Sequence, residues 1–254
     1  MRFVRYLRDS QIAYGILEGA EIQEISTTPF LPYEQTGTSV DAGDVRLLAP
    51  CLPSKIVAIG VNYKDHAAEM GRELPKTPMF FYKPSTAVVG PGDAIVRPPG
   101  CERLDYEGEM ALVIGAVASK VPAAAAFEVL LGYTCAVDAT ARDFQSADLQ
   151  WGRAKGFDTS APIGPWIETD LDPSDLQIVT RINGEVRQDS RTSQLVFGVA
   201  ELVQFVSSYV TLLPGDVIMT GTPAGVGPMS DGDRVQVEIE GVGTLGVSVK
   251  GAPR

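Results

Sequence analysis

Apolar positions along this chain come in short alternating or continuous stretches, and one stretch alone keeps a helical period for long. Phe3 to Tyr6 and Ile12 to Leu17 predict two strands around a polar turn, and Glu21 to Ile25 alternates again. A loop marked by Pro and Gly follows, then the apolar run Val45 to Pro50. Beyond Lys55 the runs have the length of buried strands: Ile56 to Val61, Met79 to Tyr82, Glu109 to Val117, Leu131 to Val137, Gln177 to Ile182, Val217 to Thr220, Val235 to Ile239 and Thr244 to Val249. A short helix is predicted over Asp65 to Met70, with Gly71 as its stop. The longer helix is Val199 to Ser208, where Val199, Leu202, Val203 and Val206 share a face. Many strands with few intervening helices argue against a doubly wound or TIM-barrel fold and predict a mainly β protein with some α.

Pro91-Gly92-Asp93, Pro214-Gly215-Asp216 and Asp231-Gly232-Asp233 each precede a strand-like run. They read either as a recurrent tight turn, with Asp bonding nearby backbone, or as a duplicated β-motif. The pattern divides the chain into a small β-rich N-terminal domain, residues 1–53, and a larger domain, residues 54–254.

Composition narrows the function classes. The chain has 254 residues, 44% hydrophobic and 21% charged, as in ordinary globular proteins, with a net charge of −11. That charge argues against nucleic acid as a partner, since phosphate binding needs clustered Lys and Arg. It also means that an anionic substrate requires a local cluster of cations. No apolar run approaches the ~20 residues of a membrane span. Residues 1–7 lack the apolar core of a signal peptide. The three cysteines form no CxxC pair and read as reduced, buried side chains, which predicts a cytoplasmic protein.

The chemistry concentrates in a few segments. In Asp105-Tyr106-Glu107-Gly108-Glu109, a strand beginning by Glu107 would put Glu107 and Glu109 on one face, and Met110 and Leu112 on the other. Two buried carboxylates on one face need a cation, and Mg2+ or Mn2+ suits an all-oxygen site; the alternative is a solvated acidic turn. Asp138 ends another apolar run and reads as a third ligand or as a helix N-cap. His66 is the only histidine, which excludes His-rich zinc sites. Glu69 lies three residues on, its neighbour on a helix, and the pair reads as a general base or as structural. Lys83 and Lys155 stand beside Pro84 and Gly156, and Gly221 to Gly227 is a Gly-rich loop without the ending of a P-loop.

Asn62 to Glu69, Lys83-Pro84-Ser85, Asp105 to Glu109, Asp138 to Gln145, Lys155 to Asp158 and Thr220 to Gly227 together make residues 51–250 resemble the fumarylacetoacetate hydrolase superfamily. The resemblance implies a mixed β-sandwich roll, a homodimer, and one Mg2+ or Mn2+ held by Glu107, Glu109 and Asp138. It implies that His66 and Glu69 activate a water. It further implies that Lys155 stabilises an oxyanion or enolate, and that Gln145 positions the reacting group. Lys83, Arg142 and Thr222 match substrate contacts. The substrate implied is a small anionic 2-oxo acid. Val61 departs from family members with Arg before Asn-Tyr, so the carboxylate contact of that Arg is missing here.

The activity expected first is metal-dependent hydrolysis of a carbon–carbon bond in acylpyruvate-like acids, with oxaloacetate decarboxylation as a second activity. The alternatives are an isomerase or decarboxylase of the 2-hydroxyhepta-2,4-diene-1,7-dioate type, and a non-catalytic protein that binds metal or 2-oxo acids.

Overall fold

The computed structural model describes residues 1–251. Its architecture is mostly β, as the pattern predicts. A twelve-stranded mixed sheet runs, edge to edge, through Gln35–Asp41, Glu21–Ile25, Gln11–Glu18, Arg2–Arg8, Ala161–Glu168, Leu130–Val137, Gly108–Ile114, Val217–Met219, Lys55–Gly60 and Met79–Pro84. Two short strands, Arg46–Leu48 and Val88–Val89, pair beside this path. The N-terminal meander enters the sheet where Arg2–Arg8 pairs antiparallel with Ala161–Glu168. A five-stranded sheet contains Glu185–Arg191, Gln177–Ile182, Arg234–Ile239, Gly243–Lys250 and Ala94–Val96, and a small third sheet holds Leu104–Tyr106 between Thr140–Ala141 and Gly227–Pro228.

The strand Gly108–Ile114 is buried along its whole length, so it carries apolar side chains on both faces. Met110, Leu112 and Ile114 enter the main core with Ile178, Val237 and the helix α4 (Val199–Tyr209). Ala111 and Val113 face a second core with Phe3, Ala136 and Ile163. The apolar stripe of α4 is the one expected: Val199, Leu202, Val203 and Val206 are buried. Each buried CH2 in these layers contributes about 0.8 kcal/mol.

The three Gly-Asp turns are one device used three times. Asp93, Asp216 and Asp233 each accept, through Oδ2, the N–H of the residue three positions earlier, at 2.7–2.8 Å. The tight-turn reading is therefore the structural one. All three cysteines are free and buried. Among the described residues no helix is long and apolar enough to cross a membrane.

Candidate metal centre and active site

Register brings the acidic side chains together. Gly108 pairs with Val137 across antiparallel strands, and Asp138 N donates to Glu107 O at 2.8 Å, so Glu107 and Asp138 face each other at the strand ends. The strand begins at Gly108, one residue later than the sequence suggested, and Glu107 occupies the break after Leu104–Tyr106. The second sheet comes close beside this break. A Cβ on Gly108 would lie 2.0 Å from Thr180 Oγ1, so the backbone passes where no side chain fits. Ala111 pairs with Met219 on the other side, which carries Gly221 to Glu109; Gly221 N donates to Glu109 Oε2 at 2.7 Å.

Glu107, Glu109 and Asp138 each offer an oxygen within 4.8 Å of the others, and all three side chains are buried. Two cations compensate part of this charge. Lys155, at the end of α3 (Gly152–Lys155), donates to Glu107 Oε2 at 2.8 Å, Asp138 Oδ2 at 2.7 Å and Thr140 Oγ1 at 2.7 Å. Arg142, at the start of α2 (Arg142–Ala147), donates to Glu107, to Asp105 Oδ2 at 2.9 Å and to Gln145 Oε1 at 2.8 Å. Burial pushes the Glu107 carboxyl up, but Lys155 and Arg142 outweigh it and hold the group at about 2. Burial also raises Glu109, and the negative Asp138 and Glu107 raise it further, well above the usual range. For Lys155, burial acts downward, and Asp138 and Glu107 more than offset it.

These residues fit a hard divalent cation. The donor set is three carboxylate oxygens, which is what Mg2+ or Mn2+ takes. Asp138 Oδ1 is buried without a directed hydrogen bond. Lys83 Nζ lies 2.8 Å from it, but that ammonium donates to the carbonyl of Lys155 and to Ser160 O and Oγ. Glu109 is the carboxylate whose charge the local cations leave least compensated.

The acidic cluster forms the floor of a cavity of about 280 Å3, whose walls include His66, Arg142, Gln145, Lys155 and Thr222. His66 sits on α1 (Lys64–Glu69), and its Nδ1 lies 3.0 Å from Glu69 Oε2. Glu69 is behind the ring and accepts the N–H of Gly225 from the Gly-rich loop. Thr222 donates to Gly108 O at 2.9 Å. Of the residues singled out in the sequence, Lys83 and Glu69 do not line the cavity; Lys83 is fully buried beneath Asp138.

Three supporting residues have no role assigned from the sequence: Asn62 and Asp105 appear there only as members of motifs, and Gln188 not at all. Gln188, on a hairpin of the second sheet, accepts from Gly108 N at 2.9 Å and donates to Thr222 Oγ1 at 2.8 Å. Asp105 is buried between Arg103 and Arg142. Asn62 ties the loop before α1 to Thr220 O and Phe197 O. A roomier cleft of about 360 Å3 lies among the N-terminal strands. Its carboxylate, Glu24, is already bonded to Tyr6, so it offers no comparable cluster.

Comparison with known proteins points the same way as the site. The family described as fumarylacetoacetate (FAA) hydrolase C-terminal matches residues 55–250, and one described as Rv2993c-like, N-terminal, matches residues 1–50. Protein Rv2993c of Mycobacterium tuberculosis is 48% identical over 255 residues, 96% of each chain. Oxaloacetate tautomerase Fahd2a, mitochondrial, of Rattus norvegicus is 38% identical over 95% of this chain and 77% of its own. The crystal structure of 2-hydroxyhepta-2,4-diene-1,7-dioate isomerase from Mycobacterium marinum matches with a TM-score of 0.94 at 45% identity, over all of both chains.

Proposed function

This chain belongs to the fumarylacetoacetate hydrolase family, and on that footing we propose that it is a divalent-cation-dependent enzyme that moves a proton beside the oxo group of a small 2-oxo acid, as in keto–enol tautomerisation or double-bond isomerisation. The observation that carries this reading is one wall with a paired histidine, His66–Glu69, standing over three converging carboxylates. Relatives bearing the names of a tautomerase and an isomerase support it.

Glu107, Glu109 and Asp138 would hold Mg2+ or Mn2+, which supplies a Lewis acid able to draw negative charge onto the substrate's oxo oxygen. Lys155 adds fixed positive charge at the same floor without reorganising, because three acceptors already hold its ammonium. Glu69 keeps the Nδ1 proton of His66 in place, so Nε2 is the atom free to take up and return a proton. Gln145, held through its Oε1 by Arg142, presents its amide toward the cavity. Trp151 and Phe81, packed edge to face at 5.4 Å, make an aromatic wall beside Lys155.

A second reading is hydrolysis of the carbon–carbon bond of an acylpyruvate, with oxaloacetate decarboxylation beside it. The His66–Glu69 pair favours it, because a histidine held by a carboxylate also suits activation of water.

One experiment separates the readings. Protein stripped of metal and resupplied with Mg2+ is incubated in D2O with oxaloacetate and with an acylpyruvate, and products are followed by NMR. Deuterium entering the carbon next to the oxo group, without chain cleavage and abolished by chelator, is the expected result. Cleavage to two acids would establish the hydrolase instead. Exchange that persists in chelator removes the metal from the mechanism.

A further inference from the structure

Three permanent cations line the cavity: Arg72, Arg142 and Lys155. Two are committed. Lys155 is spent on Glu107 and Asp138, and Arg142 on Asp105 and Glu107. Arg72 is different. Among the described residues its guanidinium forms no ion pair, and it is exposed at the rim while the three carboxylates are buried on the floor. The opposite charge balance elsewhere makes this notable, since the chain carries a net −11. A free arginine facing an acid-lined cavity in an acidic protein is a receptor for an anion that the floor cannot take.

The position of Arg72 is built, not incidental. Helix α1 ends at Glu69 with Met70 as its cap, and Gly71 follows with φ +62°, in the left-handed region. Gly71 N donates to Ala68 O at 3.0 Å, and Arg72 N donates to Ala67 O at 2.9 Å. This doubly bonded helix terminus needs glycine at its left-handed position. It fixes the backbone of Arg72 to the same helix that carries His66. The proton-carrying ring and the backbone that carries the free cation thus belong to one helix and its cap, beside the acidic floor. The adjoining wall is apolar: Val61, Met70 and Ile59 bring no charge to this side of the cavity.

We propose that Arg72 is the specificity-determining residue of this cavity, and that it pairs with the distal carboxylate of a 2-oxo diacid whose oxo-acid end lies at the carboxylate floor. The inference rests on the reading of the floor as a 2-oxo acid site and adds the substrate class, a dianion of about four to five carbons or slightly longer for a cavity of about 280 Å3. The planar fork of arginine suits a carboxylate in two-point contact, and the terminal acid enters last, at the rim.

The test uses two acids of equal chain length, 2-oxoglutarate and 2-oxopentanoate, which differ in the distal carboxylate. Each is titrated by calorimetry into the Mg2+-loaded full chain, for the parent, Arg72→Leu and Arg72→Lys. The parent is expected to prefer the diacid. Arg72→Leu should lose 10-fold or more of that preference, the loss on the order of a charged hydrogen-bonded contact. Arg72→Lys should keep part of it, since a charge remains without the fork. A preference in Arg72→Leu within twofold of the parent's overturns the proposal, as does a parent that binds both acids alike or neither. Failure of the parent to exchange protons on any 2-oxo acid would sink the proton-transfer reading, and the calorimetric preference would still decide the role of Arg72.

Discussion

Lys155 Nζ lies 2.7 Å from Asp138 Oδ2, with both side chains 3% exposed or less. The same ammonium reaches Glu107, so one buried cation serves two buried anions. Removing one partner of such a pair costs up to about 3–5 kcal/mol when the other charge is left buried and alone; here Arg142 still pairs with Glu107 and Lys83 with Asp138, so the lower end applies. Lys155→Met is expected to lower the stability of metal-free protein by that amount in urea titrations. Mg2+ should restore more stability to this variant than to the parent, since a cation on the floor supplies the missing charge. A variant that melts like the parent and ignores Mg2+ would contradict the electrostatic account of the floor.

Glu109→Gln separates folding from metal binding. Burial and two neighbouring carboxylates already disfavour the charge of Glu109, and glutamine can still accept the N–H of Gly221. Metal-free stability is expected to stay within about 1 kcal/mol of the parent or to rise. Mg2+ affinity, read by calorimetry, should fall at least 10-fold. Unchanged affinity would remove Glu109 from the ligand set.

His66→Asn is expected to lower kcat about 10²- to 10⁴-fold, the usual contribution of a positioned acid–base group. Glu69→Gln should cost less, because the ring remains while its orienting charge is gone. Neither should alter Mg2+ affinity. Activity retained in His66→Asn would require another proton carrier.

Asp216 governs a pH effect remote from the cavity. Burial acts to raise its carboxyl, but hydrogen bonds from Lys55, Leu213 N–H and Ser54 lower it below the usual range. A carboxyl depressed in the folded state stabilises the fold above its unfolded value, about 3.9, and that contribution disappears as pH falls through the folded value. Asp216→Asn should therefore lose about 2–3 kcal/mol at pH 7 and less near pH 3, where the contribution has begun to fall. Urea titrations at the two pH values check this, and an equal deficit at both would refute it.

Gly108→Ala tests the close approach of the second sheet beside the acids. The added methyl would meet Thr180 Oγ1 at 2.0 Å, and overpacking of this kind costs about 1–3 kcal/mol. Thr180→Ala in the same chain should recover part of the loss.

Much of the local structure was legible along the chain. The alternation from Glu109 placed Met110 and Leu112 opposite it, and they do enter a different core from Ala111. The stripe on α4, the stop at Gly71 and the three Gly-Asp turns follow from residue type and spacing. Such features depend on neighbours within a few positions, where backbone geometry alone relates one side chain to the next.

What the tertiary structure alone decided is which of those local pieces meet. Nothing near Arg72 marks it as sharing a cavity with Glu107, and nothing around Gln188 foretells its bond to Gly108, 80 residues away. Lys83 matches a substrate contact by resemblance, yet its side chain is fully buried under Asp138 and does not line the cavity. Glu107 converges with Glu109 as the alternation suggests, but that Asp138 joins them is set by the pairing of Gly108 with Val137. Periodicity reports that a face is buried; strand order and register, fixed by packing between distant segments, determine what it is buried against.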